Sequence, residues 1–121
     1  MKRHRHHNYL RSCRKKLGLT QNQLAFLLGL ESGSRISVLE GGRGLPTLRE
    51  AVMFERLFGQ AVCAIWPEWV KKTEENFESH IEKLVNGLAR SFLGSRRKQQ
   101  RAAFTRRQLT VVLDGPSPIG E

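Results

Sequence analysis

The sequence predicts an all-α protein, and three observations carry that reading. Apolar residues recur three and four apart rather than in alternation. Helix start and stop signals are regular between residues 9 and 66, with two capping boxes and glycines at the stops. Beyond Pro67 one narrow apolar seam continues to residue 92. The expected architecture is a compact domain of four to five short helices at residues 9–66, followed by a long amphipathic helix at 67–93. A basic arm at 1–8 precedes them, and a basic, partly disordered tail at 94–121 follows.

Leu10, Cys13 and Leu17 share one helix face, and Gly18 is placed to end that helix. Thr20 is the next N-cap, with Gln23 at capping-box spacing. Leu24, Ala25 and Leu28 form the apolar face of this second helix, which Gly29 stops. Ile36 and Leu39 mark a very short third helix, closed by Gly41 and Gly42. "TLRE" at 47–50 is a second capping box, directly after Pro46. It opens a helix with Ala51, Val52, Phe54, Leu57 and Phe58 largely inward, ended by Gly59. Val62, Ile65 and Trp66 suggest one more helical turn. Helices this short are marginal alone, so packing on one another must stabilise them.

Pro67 is tolerated in a first helical turn. The seam that follows, Val70, Phe77, Ile81, Leu84, Leu88 and Phe92, suits a coiled coil or a helix hairpin between chains. Phe77, Ile81, Leu84 and Leu88 are therefore the candidate dimerisation residues, the alternative being a helix folded back on its own domain. "SRRKQQRAAFTRRQ" is basic and helical if docked. "LTVVLD" at 109–114 has strand character, and a lone strand is stable only when paired, with a partner or a dimer mate.

The formal net charge is +10 over 121 residues, and its placement is informative. Residues 1–18 sum to +7, 19–66 to zero, 67–94 to −1, 95–107 to +6 and the remainder to −2. Positive blocks at both ends attract a polyanion, although a basic tail that only solubilises has the same composition. Cys13 and Cys63 form no C-x-x-C pair and read as small buried hydrophobes. "HRHH" at 4–7 reads as part of the basic arm, since no cysteine or carboxylate lies near in sequence to complete a metal site. No apolar run approaches the ~20 residues that cross a bilayer, and no signal-peptide pattern opens the chain. A cytoplasmic protein with no membrane partner, cofactor or metal is expected.

A pair of helices joined by a tight glycine turn, the second short and opening in small polar residues, is a helix-turn-helix. In that arrangement the first helix crosses the phosphate backbone and the second lies in the major groove, which is wide enough for one helix. "LRSCRKKLGLTQNQLAFLLGL…ISVLEGGRGLPTL" resembles the Cro/repressor-type (XRE family) helix-turn-helix domain of lambdoid phage repressors and many bacterial regulators. The shared skeleton is L-R-x-x-R-x-x-x-G-L-T-Q-x-x-L-A-x-x-L-G, then I-S-x-x-E-x-G-x-x-x-P, over roughly residues 9–66.

The resemblance implies a repressor-like fold and a set of roles. Gln21 matches a phosphate-contacting glutamine at the start of the second helix. Residues 33–38 match the recognition surface, so Ser34, Arg35, Ser37 and Val38 become candidate DNA contacts, with Ser32 just before them and Arg35 the side chain best suited to guanine. Arg43 matches a basic loop residue that approaches the backbone or minor groove. Arg14 and Glu40 match a structural ion pair between the first and third helices. A catalytic Glu40 is disfavoured because no second carboxylate, histidine or nucleophile stands near it. One departure stands out: "ESGSR" makes the turn one residue longer than the family's usual spacing. Gly33 is expected to absorb it with a positive φ, and Ser32 is a candidate N-cap in place of Ser34.

These observations point to a sequence-specific double-stranded DNA-binding transcriptional regulator of bacterial or phage type, dimeric on a two-fold site. The alternative keeps the domain but makes it an antitoxin or adaptor whose C-terminal segment docks a protein partner. RNA association through the two basic ends is a third reading. No Gly-rich phosphate loop, metal-spaced cluster or nucleophile–base pair points to an enzyme.

Overall fold

The structure, a computed structural model, describes residues 5–89 and 94–115. Seven helices and no strand occur among them: α1 Leu10–Lys16, α2 Gln21–Leu27, α3 Ser34–Glu40, α4 Leu48–Phe58, α5 Val62–Ile65, α6 Pro67–Ala89 and α7 Arg96–Asp114. The chain divides into two units, Met1–Lys72 and Thr73–Glu121.

Both capping boxes form. The Thr20 hydroxyl accepts from the Gln23 amide, and Gln23 Oε1 accepts from the Thr20 amide in return. Thr47 and Glu50 repeat the arrangement at the start of α4. Each box satisfies two amides that a helix start otherwise leaves without partners. The turn after α2 depends on Gly29, whose φ of +76° is rarely accessible to a residue with a Cβ.

Each of α1 to α5 contributes to one core. Leu10, Leu24, Ala25, Ile36, Leu39, Phe54 and Ile65 are fully buried, joined by Leu28 and by Trp66 just after α5. Phe54 lies at the centre of the aromatic part, with ring centroids 5.9 Å from Phe58 and 6.0 Å from Trp66. Burial of each large side chain contributes roughly 1.5–3 kcal/mol. No helix of seven residues supplies that stabilisation from its own backbone. The Tyr9 amide donates to the Ile65 carbonyl at 2.9 Å, tying the start of α1 to the end of α5.

Several expectations change. Cys63 is exposed and Cys13 half-buried; α5 is one turn, and Cys63 falls on the side away from Val62, Ile65 and Trp66. Leu17 and Val52 are also exposed, at the edges of their faces. Residues 109–114 continue helix α7 instead of forming a strand. The Arg-, Gln- and Ala-rich stretch before them starts a helix capped by Ser95, and Thr110, Val111 and Val112 extend it in the absence of a pairing strand. Phe92 and residues 116–121 lie outside the described residues, as do residues 1–4 of the arm. In the second unit, Ile81 is buried, Leu88 half-buried, and Phe77 and Leu84 are more than half exposed.

Candidate nucleic-acid interface

The α2–α3 turn is built around a close helix contact. Asn22 Oδ1 accepts the Gly33 amide at 2.8 Å, and Gly33 is the residue before the first turn of α3. A Cβ on Gly33 would meet Asn22 Oδ1 at 2.8 Å and the Gln21 Cβ at 3.0 Å. The longer "ESGSR" turn is therefore accommodated without a positive φ. Gly33 has φ −72° and is needed for the close approach of α2. Gly33, not Ser32 or Ser34, occupies the N-cap; the Ser32 hydroxyl reaches forward to Ser34, donating to its hydroxyl at 3.2 Å and accepting from its amide at 3.4 Å.

Successive residues of a helix step ~100° around its axis. Ile36 and Leu39 point into the core, which leaves Ser34, Ser37 and Val38 on the opposite face of α3. Arg35 and Glu40 fall on the two edges between, and each edge carries an ion pair. On one, Arg14 Nε meets Glu40 Oε2 at 2.6 Å and Nη2 meets Oε1 at 3.2 Å, while Nη1 donates to the Leu19 carbonyl. On the other, Arg35 meets both oxygens of Glu50 at 2.8 and 3.0 Å and donates to the Leu45 carbonyl. α3 is braced toward α1 on one side and toward α4 on the other.

The guanidinium of Arg35, the candidate base contact, lies against Glu50 of α4, with its side chain 34% exposed. The Glu50 hydrogen bonds raise the Arg35 pKa, and the same bonds from Arg35, with those from Thr47, hold Glu50 below the usual glutamate range against the opposing effect of burial. Nothing in the sequence spacing announces this pair, because Glu50 already has a local role in the Thr47 capping box and stands fifteen residues from Arg35. Arg49 is a second side chain that sequence reading missed: its guanidinium donates to the Leu28 carbonyl at the end of α2.

A polar cleft of about 590 Å³ borders the exposed face of α3, lined by Arg5, Arg11, Arg14, Gln21, Ser37, Glu40, Gly41 and Arg43. Its one carboxylate is already engaged: Glu40 accepts from Arg14 twice and from the Gln21 side-chain amide at 3.1 Å. Gln21, expected to contact phosphate, thus also braces Glu40. Arg43 is exposed, and its amide donates to the Val38 carbonyl. Among the described residues Arg5, Arg11 and Arg43 have no carboxylate partner, so the cleft is cationic. Arg5 comes from the basic arm, for which the family resemblance leaves open a segment that wraps the duplex or enters the minor groove and a solvated tail; Arg11 comes from the exposed side of α1. No group of three metal-ligating side chains gathers among the described residues, and no described helix is long and apolar enough to cross a membrane.

A helix-turn-helix family model matches residues 10–61, the span that holds α1 to α4 and the turn between α2 and α3. No curated protein and no solved structure matches the chain. The match implies DNA binding, by a domain type typical of non-enzymatic regulators.

Proposed function

Residues 10–61 are a helix-turn-helix domain of the Cro/repressor (XRE) type, and from that premise we propose that the protein is a sequence-specific double-stranded DNA-binding transcriptional regulator of bacterial or phage type. The observation that carries the proposal is the bracing of α3. Ion pairs fix both of its edges, and only small side chains, Ser34, Ser37 and Val38, face outward beside a cationic cleft. A helix presented in this way enters a major groove closely. Val38 can meet a thymine methyl, and the serine hydroxyls can reach base or phosphate oxygens. Gln21, Ser32 and Arg43 flank that face and are assigned to the backbone. Arg35 serves as a brace and reads no base. With no long side chain holding a base bidentately, phosphate contacts supply most of the affinity, and binding falls steeply with salt.

We assign self-association to the α6 seam, Phe77, Ile81, Leu84 and Leu88, because Phe77 and Leu84 expose apolar surface one heptad apart. A homodimer matches a two-fold operator with half-sites about 34 Å apart. Such a regulator acts in the cytoplasm. The antitoxin or adaptor alternative drew on a strand at 109–114; that segment is helical, so a protein partner would dock on α7. Selection of duplexes from a random pool tests the proposal. A two-fold-symmetric consensus is expected, and no enrichment over input would refute it.

A further inference from the structure

Residues 5–8 are pinned to the end of α3. The His6 amide donates to the Gly42 carbonyl at 2.8 Å. The Asn8 side chain donates to the Leu39 carbonyl at 2.9 Å and to the His6 carbonyl at 3.0 Å, and its oxygen accepts the Leu10 amide at 3.1 Å. One asparagine thus ties together the arm, the last turn of α3 and the first turn of α1. Gly42 leaves room for the arm: a Cβ there would meet His6 O at 2.8 Å and His6 N at 3.0 Å, both backbone atoms that no rotamer change can clear. Its φ of +75° is a second reason for glycine.

The consequence is where Arg5 goes. It lines the cationic cleft with Arg11, Gln21, Ser37 and Arg43, and its single hydrogen bond, to the Gly41 carbonyl, is long at 3.5 Å. A guanidinium has five N–H donors, so most of those on Arg5 remain available. The Glu40 carboxylate in the same cleft is already occupied by Arg14 and Gln21 and does not compete for it.

We propose that the pinned arm is a working wall of the DNA interface, with Arg5 holding a backbone phosphate alongside Arg43 and with Asn8 and Gly42 as the residues that position it. The proposal rests on the DNA-binding reading above and adds to it a phosphate ligand from outside the helix-turn-helix. An arm held before binding loses less conformational entropy on contact than a free tail does, which favours a fixed contact over diffuse attraction.

The test uses the full chain, its selected duplex, and binding constants measured across a potassium chloride series. Arg5→Ala is expected to lower the log–log salt slope by about one and the affinity about eightfold near ~0.1 M salt, with the consensus unchanged. Arg5→Lys is expected to restore the slope, since a point charge suffices to displace a counterion. Gly42→Ala is expected to lower the slope as Arg5→Ala does, and the double variant no further than either alone. A wild-type slope in Arg5→Ala would overturn the proposal and leave Arg5 as a cap on the Gly41 carbonyl. So would a Gly42→Ala loss of equal size with and without Arg5. The domain reading fails separately: if the unaltered protein enriches no duplex, or Gln21→Ala and Arg43→Ala bind normally, DNA recognition itself is refuted. A normal Arg5→Ala beside a weakened Arg43→Ala removes the arm alone.

Discussion

The two units of the chain use their apolar residues in opposite ways. In the first, every helix from α1 to α5 places at least one side chain fully in the core. In the second, Ile81 is the buried residue among those described, while Phe77, Leu84, Phe104, Val111 and Val112 are each more than half exposed. The first unit closes on itself although its helices are short; the second has long helices whose apolar surface stays open. Length, which favours an isolated helix, does not by itself close a core, and mutual packing compensates for its absence.

Removing the centre of the first core is the strongest way to break this contrast. Phe54→Ala leaves a cavity between Phe58 and Trp66 and is expected to cost about 3–5 kcal/mol, enough to abolish cooperative melting and DNA binding together. Ile81→Ala is expected to leave the melting of the first unit unchanged. Calorimetry of both variants checks the pair, and equal losses would mean that the units do not fold separately. Next comes Arg14→Ala, which strands Glu40 with only Gln21 as partner. Because both side chains are about nine-tenths buried, a loss of roughly 3 kcal/mol is expected, read by chemical denaturation.

The second unit is tested by association. Phe77→Asp with Leu84→Asp places two like charges on the α6 seam and is expected to halve the sedimentation mass and reduce binding to a two-fold duplex to that of a single half-site. Melting of the first unit should not move. An unchanged mass would remove the seam as an interface and leave its exposed apolar residues without that explanation.

Legibility in the sequence follows the range of the interaction. The capping boxes at Thr20 and Thr47 involve residues three apart, and the glycine after α2 acts on its own backbone, so local reading finds them. The core residues follow from periodicity in α1 to α4. The register of α3 was legible only in part, since whether the turn is absorbed by φ or by the Gly33–Asn22 contact depends on how close α2 lies. Arg35–Glu50 and Asn8–Leu39 join residues 15 and 31 apart, and no local pattern encodes them. At 109–114, β-branched composition suggested a strand, but a helix already under way from Arg96 extends through it.

Arg35 separates the two functions that α3 can have, recognition and bracing. Its side chain is 34% exposed, against 10% for Arg14, so solvent weakens its pair. Arg35→Ala is expected to cost roughly 1–2 kcal/mol while leaving the selected consensus unchanged; an altered consensus would return Arg35 to the base-reading face.

The smallest expected effect is the pH dependence of that same pair. Arg35 holds Glu50 below the usual glutamate range, so the folded state binds its proton less readily than the unfolded chain does. A depressed carboxylate contributes stability that is fully present above the unfolded value of about 4.3 and is lost as pH falls through the lower folded value. Stability of the first unit should therefore decline below about pH 4.5 by an amount that Glu50→Gln reduces. The glutamine still accepts from Arg35 and Thr47 but does not titrate. The comparison is the slope of unfolding free energy between about pH 5 and 3, read in the two proteins under the same salt. Parallel slopes would mean that the carboxylates governing acid unfolding lie elsewhere.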